Sequence, residues 1–452
     1  MKNYSILIAV LFCAILNSCT TTDSLLHLRG FNIQGYNGKA AIYEDDLKRD
    51  CSFRFGALSV SLDKNGMFDT AMVVSKPGYY TIESCSTYLV PGGNLDITYN
   101  SSTNDYSFTG TTANECVFLN KNPLNLYGDF SFIYGGKSVR NTFVETKQVV
   151  DSLASLRIKL LDSCKNLDPF FVEVEKARTK AHLVNSYLNY YMYTKDYVIC
   201  DMGSEGQTPG GKEYIESVRG FIEPIVKEFF DERFAINSDI RWVVERCVNG
   251  GLITVPEGSI WDQLYTARGL MQKFENENGG LAKVVEEAKL QLPKFTDPEL
   301  LSIIKNEIEQ KDRLAPGITA LEFELEDIDG NRVDVSAFKG RTIYIDLWAT
   351  WCGICIAESP SFVKLKEEYP DVVFMSISID EKKEHWKKFI TAKPKTAVLQ
   401  FIAVDNAALM NAWNVFGVPR CILIDKDYKI VDAYAPRPTT EEIKKLLDEL
   451  EK

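Results

Sequence analysis

The stretch Trp348-Ala349-Thr350-Trp351-Cys352-Gly353-Ile354-Cys355 decides how this chain is read. It follows a short apolar run, Thr342 to Leu347, and precedes a segment of helical period, Cys355 to Glu368. Two cysteines at Cys-x-x-Cys spacing on such a strand-to-helix junction are a redox signature. The first thiol falls where the helix begins, and the unpaired N–H groups and positive macrodipole end there favour a thiolate. A free thiol titrates near ~8.5, and such a site lowers that by one to several units. The second thiol lies about one turn on, close enough for a short disulfide. Half of a zinc site or two core cysteines are the alternatives. Zinc needs a second Cys/His pair at matching spacing. The histidines are His27, His182 and His385, no other Cys-x-x-Cys occurs, and no metal is expected.

At 452 residues the chain is long enough for roughly three domains. Its formal charge of −12, with no basic block, argues against nucleic acid or an anionic membrane surface as partner. Residues 1–19 stand apart. Lys2 opens a short positive region, and Tyr4 to Leu16 is an apolar run too short to span a bilayer. It ends in Leu16-Asn17-Ser18-Cys19, which resembles the lipobox of bacterial lipoproteins. That resemblance implies a lipid-modified Cys19 and a mature protein outside the cytoplasm; Thr20 after it leans to the outer membrane. A plain secretory signal with a chance cysteine is the alternative. The other cysteines after the leader, Cys51, Cys85, Cys116, Cys164, Cys200, Cys247 and Cys421, have no regular spacing, and most read as buried apolar side chains. A Cys51–Cys85 or Cys85–Cys116 bridge is open.

Working back from the motif, three regions are expected after the leader. Residues 20–120 alternate short apolar runs with turn signals, including Asp63-Lys64-Asn65-Gly66 and Pro91-Gly92-Gly93-Asn94. That predicts an antiparallel β-sandwich. Residues 121–313 carry helical periodicity and predict an all-α region. Its signals are the capping box Thr142/Glu145 and the Asp168-Pro169 and Asp297-Pro298 starts. Tyr187, Tyr190 and Tyr191, with His182 on the same helix, read as core rather than as a groove or ligand. Residues 314–452 alternate strands and helices and predict a mixed α/β sheet, with Asp405 and the pair Thr439/Glu442 capping helices.

This last third resembles the thioredoxin superfamily, and within it the TlpA/ResA-like thiol–disulfide oxidoreductases. Asp346, Trp348 to Cys352, Cys355, Glu358, Pro360 and Val418-Pro419 carry the resemblance. It implies Cys352 as attacking thiol and Cys355 as resolving thiol, with the pair itself as the redox group and no further cofactor. It implies a cis-proline at Pro419 that pairs with substrate backbone, and a substrate-facing rim of Trp351, Gly353, Ile354 and Val418. Asp346, an acid on an apolar strand, is expected to be shifted upward and to accept the Cys355 proton. Glu358 occupies the place of the family's active-site glutamate, though a first-turn glutamate is also simply favoured by the dipole. Gly-Ile between the cysteines departs from the family pattern and leans to a reducing or intermediate potential. Cys421 reads as buried rather than as a third thiol of the site. The expected partners are disulfide-containing envelope proteins, apocytochrome c among them, and a membrane redox partner. A peroxiredoxin-type peroxidase lacks its Pro-x-x-x-Thr-x-x-Cys pattern here. A scaffolding lipoprotein with secondary redox activity is the reading from another class.

Overall fold

The structure is a computed structural model that describes residues 24–35, 37–51, 57–121, 124, 130–193, 209–276, 281–392 and 398–452. The leader with Cys19, and Cys200, lie outside the described residues. The chain divides into two compact units, one of Met1–Asp46 and Gly56–Thr254, the other of Leu47–Phe55 and Val255–Lys452. The helical stretch 121–313 is thus shared between the units rather than gathered in one.

In the first unit the strands are β1 (Leu25–Phe31), β2 (Lys39–Glu44), β3 (Leu58–Ser61), β4 (Phe68–Val73), β5 (Gly78–Ile82), β6 (Cys85–Leu89), β7 (Asn94–Asn100) and β8 (Asp105–Gly110). They form two four-stranded sheets, β4-β1-β7-β8 and β3-β2-β5-β6. Leu28 and Ile97 of one sheet and Ile42 and Ile82 of the other share one buried core, so the sheets face each other as a sandwich. Asn65-Gly66 turns the chain as expected: Gly66 has φ +67°, and a Cβ there would meet the Ile33 carbonyl oxygen at 2.7 Å. The expectation of a purely antiparallel sandwich is corrected, because β1 and β7 pair in parallel with Leu28 opposite Leu95. Five strands intervene between them, and so long a crossing is what parallel pairing requires. Cys51, Cys85 and Cys116 are buried and none is in a disulfide, so neither open bridge forms.

A short helix, α1 (Leu47–Cys51), belongs to the second unit. The first unit continues with α2 (Ala113–Lys121), α3 (Phe143–Ser163), α4 (Pro169–Asn189), α5 (Pro209–Glu228) and α6 (Ser238–Asn249). Thr142 and Glu145 make the reciprocal capping box of α3, and Asp168 caps α4 ahead of Pro169. Tyr187 and Tyr190 are core residues. His182 has partners that the periodicity could not reveal. Its Nε2 lies 2.8 Å from Asp239 and its Nδ1 lies 3.4 Å from Arg157. Arg157 also donates to Glu175 at 3.2 Å, and Glu175 accepts from Arg178 and from the Tyr79 hydroxyl. Burial first of all holds His182 down at about 4. The imidazole is therefore neutral, and the two arginines balance the two carboxylates.

The second unit opens with α7 (Ile260–Asn276), α8 (Leu281–Gln291) and α9 (Pro298–Asp312). Then follow β9 (Glu324–Asp327), β10 (Arg332–Asp334), β11 (Ile343–Trp348), α10 (Gly353–Glu368), β12 (Val373–Ser378), α11 (Lys383–Thr391), β13 (Leu399–Ala403), α12 (Asn406–Ala412), β14 (Arg420–Ile424), β15 (Ile430–Ala435) and α13 (Glu441–Leu450). The seven strands lie in the order β10-β9-β13-β12-β11-β14-β15, with β11, β12 and β13 parallel and the rest antiparallel. All six residues of β11 are buried. Alternation sends Ile343, Ile345 and Leu347 into one core with Trp413. Tyr344 packs in the core on the opposite face with Phe362 and Leu365 of α10, and Asp346 and Trp348 share that face by period. Asp405 caps α12. The Thr439/Glu442 box is not made: the N-cap of α13 falls one residue later, on Thr440, without a side-chain cap bond.

Candidate active site

The tight turn after β11 is closed by the Cys352 N–H donating to the Ala349 carbonyl at 3.0 Å. Cys352 is then the N-cap of α10, its Sγ accepting from the Cys355 N–H at 3.2 Å. The Cys352 sulfur thus takes the place usually held by a Ser or Asp oxygen at a helix start. Cys352 and Cys355 are joined as a disulfide, with Cα atoms 5.3 Å apart. Both are largely covered, whereas Trp351 is 68% and Ile354 58% exposed, and Gly353 is exposed between them. The Val418–Pro419 peptide is cis. The Val418 carbonyl oxygen lies 3.6 Å from Cys352 Sγ, so this segment faces the disulfide. Phe416, 53% exposed, stands three residues before Pro419.

Beneath the disulfide the sheet register brings polar groups together. Asp346 pairs across β12 with Ser376 and across β14 with Cys421. Burial first, then the Glu358 charge, raises the Asp346 carboxyl to about 7, against a hydrogen bond from Ser376 that favours the ion. Cys421 is buried, and burial together with Asp346 pushes its thiol far above the usual range. Asp346, Cys355, Trp348, Ser376 and Gln400 line a cavity of about 440 Å³. Through it the acid and the inner sulfur share one cavity. Glu358 lies in the second turn of α10, not the first, so the first-turn expectation is corrected; it is largely covered and is held by Arg437, whose Nη1 donates to it at 3.1 Å.

Several neighbours escaped the sequence reading. Arg437 lies 79 residues from Glu358 and gives no local signal. Arg420 left one: it is a cation opening the otherwise apolar run Cys421–Ile424, directly after Pro419. Its Nε donates to the Ala433 carbonyl at 2.7 Å, and its guanidinium carbon sits 3.3 Å from the centre of the Tyr434 ring. The Tyr434 hydroxyl also takes Lys311 of α9 and Asn414, and Arg420 and Lys311 oppose burial to lower it. Lys311 is itself buried, with Glu307 3.4 Å away. Helix α9 is thereby tied to β15, and through the Tyr434 ring to Arg420, the residue that follows the cis-proline. Among the described residues no group of three or more His, Cys, Asp or Glu side chains could hold a metal ion.

With this geometry in view, the chain can be set beside known proteins. Residues 311–450 match the Redoxin family model. Thiol-disulfide oxidoreductase ResA of Bacillus thuringiensis is 26% identical over 145 residues, 31% of this chain and 82% of that protein. Thioredoxin-like protein YneN of Bacillus subtilis is 31% identical over 136 residues, 29% of this chain and 78% of that protein. Among solved structures, a candidate thiol-disulfide oxidoreductase from Bacteroides vulgatus shares 46% identity. It covers 30% of this chain and 98% of its own, with a TM-score of 0.29.

Proposed function

The chain belongs to the thioredoxin superfamily, beside the ResA-like thiol–disulfide oxidoreductases, and from that premise we propose that it exchanges disulfides with proteins of the cell envelope. One observation carries the reading. The Cys352–Cys355 disulfide caps α10, faces the Val418–Pro419 segment on its outer side, and has Asp346 in the cavity behind it. In the reducing direction the Cys352 thiolate attacks a substrate disulfide, and one substrate sulfur leaves as a thiolate. Asp346 takes the proton of Cys355. The Cys355 thiolate then attacks Cys352 Sγ, breaking the mixed disulfide and releasing the second substrate thiolate. Two electrons pass to the substrate and the enzyme is left as its disulfide. A dithiol partner at the membrane returns it to the reduced form. Pro419 and Val418 offer backbone to an extended substrate, and Trp351, Gly353 and Ile354 form the rim it crosses. Glu358, held by Arg437, keeps negative charge near Asp346. Cys19 is proposed as a lipid anchor holding the protein at the outer membrane, facing the periplasm, with apocytochrome c among its substrates.

The test is a Cys355→Ser variant of the full chain exposed to envelope extract, with native protein assayed on insulin disulfides. Trapped mixed disulfides through Cys352 and insulin reduction by the native chain are expected. An untrapped variant together with an inactive native chain would sink the exchange reading in favour of a scaffold.

A further inference from the structure

The exposed active-site turn has a hidden anchor. Trp351 turns most of its surface to solvent, so its ring gives the turn little packing. What fixes the turn lies on the inner side, at Thr350. Its N–H donates to Asp380 Oδ2 at 3.0 Å and its hydroxyl to Asp380 Oδ1 at 2.7 Å. Both oxygens of one carboxylate thus grip the residue two before Cys352. Asp380 follows β12 and is 4% exposed, and it is fixed in turn. Its Oδ2 also accepts the Ser378 hydroxyl at 2.6 Å. Its own N–H donates to Ser378 Oγ at 3.0 Å, and its carbonyl accepts from Asn406 at 3.0 Å. A carboxylate buried on hydroxyls and amides is costly unless its bonds are well made, and charge-assisted bonds are about twice as strong as neutral ones. The result is a rigid path from β12 through Thr350 to the nucleophilic sulfur.

We propose that Asp380 is a positioning residue for disulfide exchange, clamping Thr350 so that the turn presents Cys352 at the head of α10 and opposite Val418. This rests on the exchange activity of the Cys352/Cys355 pair. The clamp touches neither sulfur; it acts through the backbone between Thr350 and Cys352. Misplacement of a reacting atom by about 1 Å can cost on the order of 100-fold in rate.

The experiment compares native full-length protein with Thr350→Val, Thr350→Ser and Asp380→Asn. Each is measured for insulin reduction, for the dithiol–disulfide equilibrium against glutathione, and for thermal unfolding by circular dichroism. Thr350→Val removes the hydroxyl bond and is expected to slow exchange about tenfold without a matching loss of melting temperature. Thr350→Ser keeps both donors and restores the native rate. Asp380→Asn slows exchange similarly, and removing its charge favours the Cys352 thiolate, moving the equilibrium at least threefold toward the dithiol. A folded Thr350→Val protein exchanging at the native rate overturns the proposal. So does a rate loss in Thr350→Val that Thr350→Ser does not rescue. If Asp380→Asn fails to fold, the two threonine variants still decide. If native protein fails to reduce insulin, the exchange reading fails first. The glutathione equilibrium then judges the clamp, and an unshifted value in Asp380→Asn overturns it.

Discussion

Replacing Asp346 with asparagine should stabilise the second unit in alkaline solution and not in acid. In the folded chain burial and Glu358 lift this carboxyl to about 7, whereas in an unfolded chain it titrates near ~3.9. A folded value above the unfolded one means that the group's favourable contribution is fully present below the unfolded value. It is then lost as pH rises through about 7. The gap of about 3 pH units, at ~1.36 kcal/mol each, amounts to about 4 kcal/mol. Roughly 2–3 kcal/mol of this falls between pH 5 and pH 9. Asparagine carries no charge to desolvate, and its carbonyl can keep the Ser376 bond. Its NH2 is a new buried donor that costs ~1–3 kcal/mol at every pH. The variant is therefore expected to be about 1–3 kcal/mol more stable than the native chain at pH 9 and near parity at pH 5. Urea unfolding of the oxidised protein at both pH values measures this, with tryptophan emission as the probe. Trp348, Trp351, Trp386 and Trp413 all lie in residues 314–452. A difference between variant and native protein that is the same at both pH values would refute the buried-acid argument. The same substitution should remove the step near pH 7 from the exchange rate profile.

Glu358→Gln should move that step to lower pH, because the Glu358 charge is the second cause of the Asp346 shift; an unmoved midpoint sinks the coupling. Stability should change by less than about 1 kcal/mol, since the partner Arg437 is half exposed. Tyr434→Phe should cost about 1–3 kcal/mol in the second unit, because it takes one of the buried Lys311 ammonium's acceptors. A urea midpoint within error of native would show that the tie from α9 to β15 contributes nothing. Arg157→Ala leaves Glu175 buried beside Arg178 and Tyr79 with one cation fewer, and should destabilise the first unit by about 3–5 kcal/mol. Arg157→Ala unfolding at the native urea concentration would contradict the account of that network.

Sequence and structure differ most where partners are far apart in the chain. The capping box at Thr142 and Glu145 was legible because both bonds span three residues. The box at Thr439 and Glu442 had the same pattern and does not form. The N-cap falls on Thr440 and α13 starts at Glu441 instead, so the pattern did not suffice. The turn at Asn65-Gly66 was legible because a positive φ selects glycine. The parallel pairing of β1 with β7 was not, since alternation reports which face is buried and not which strand lies alongside. His182 read as an isolated core residue, because its partners come from α3 and α6.

The redox centre divides in the same way. Cys-x-x-Cys after an apolar strand was enough to identify the chemistry, because the reacting sulfurs, the helix start that one of them caps, and the acid six residues upstream all lie in one local stretch. The sequence alone also carried the expectation that Asp346, as an acid on an apolar strand, would be shifted upward. What only the tertiary structure decided is the surroundings that set this centre's reactivity: Ser376 and Cys421 beside Asp346, Arg437 on Glu358, Asp380 on Thr350, and Tyr434 under Arg420. Each of these comes from a strand or loop distant in the chain. Sheet register and packing bring such residues together, and neither is written in local periodicity.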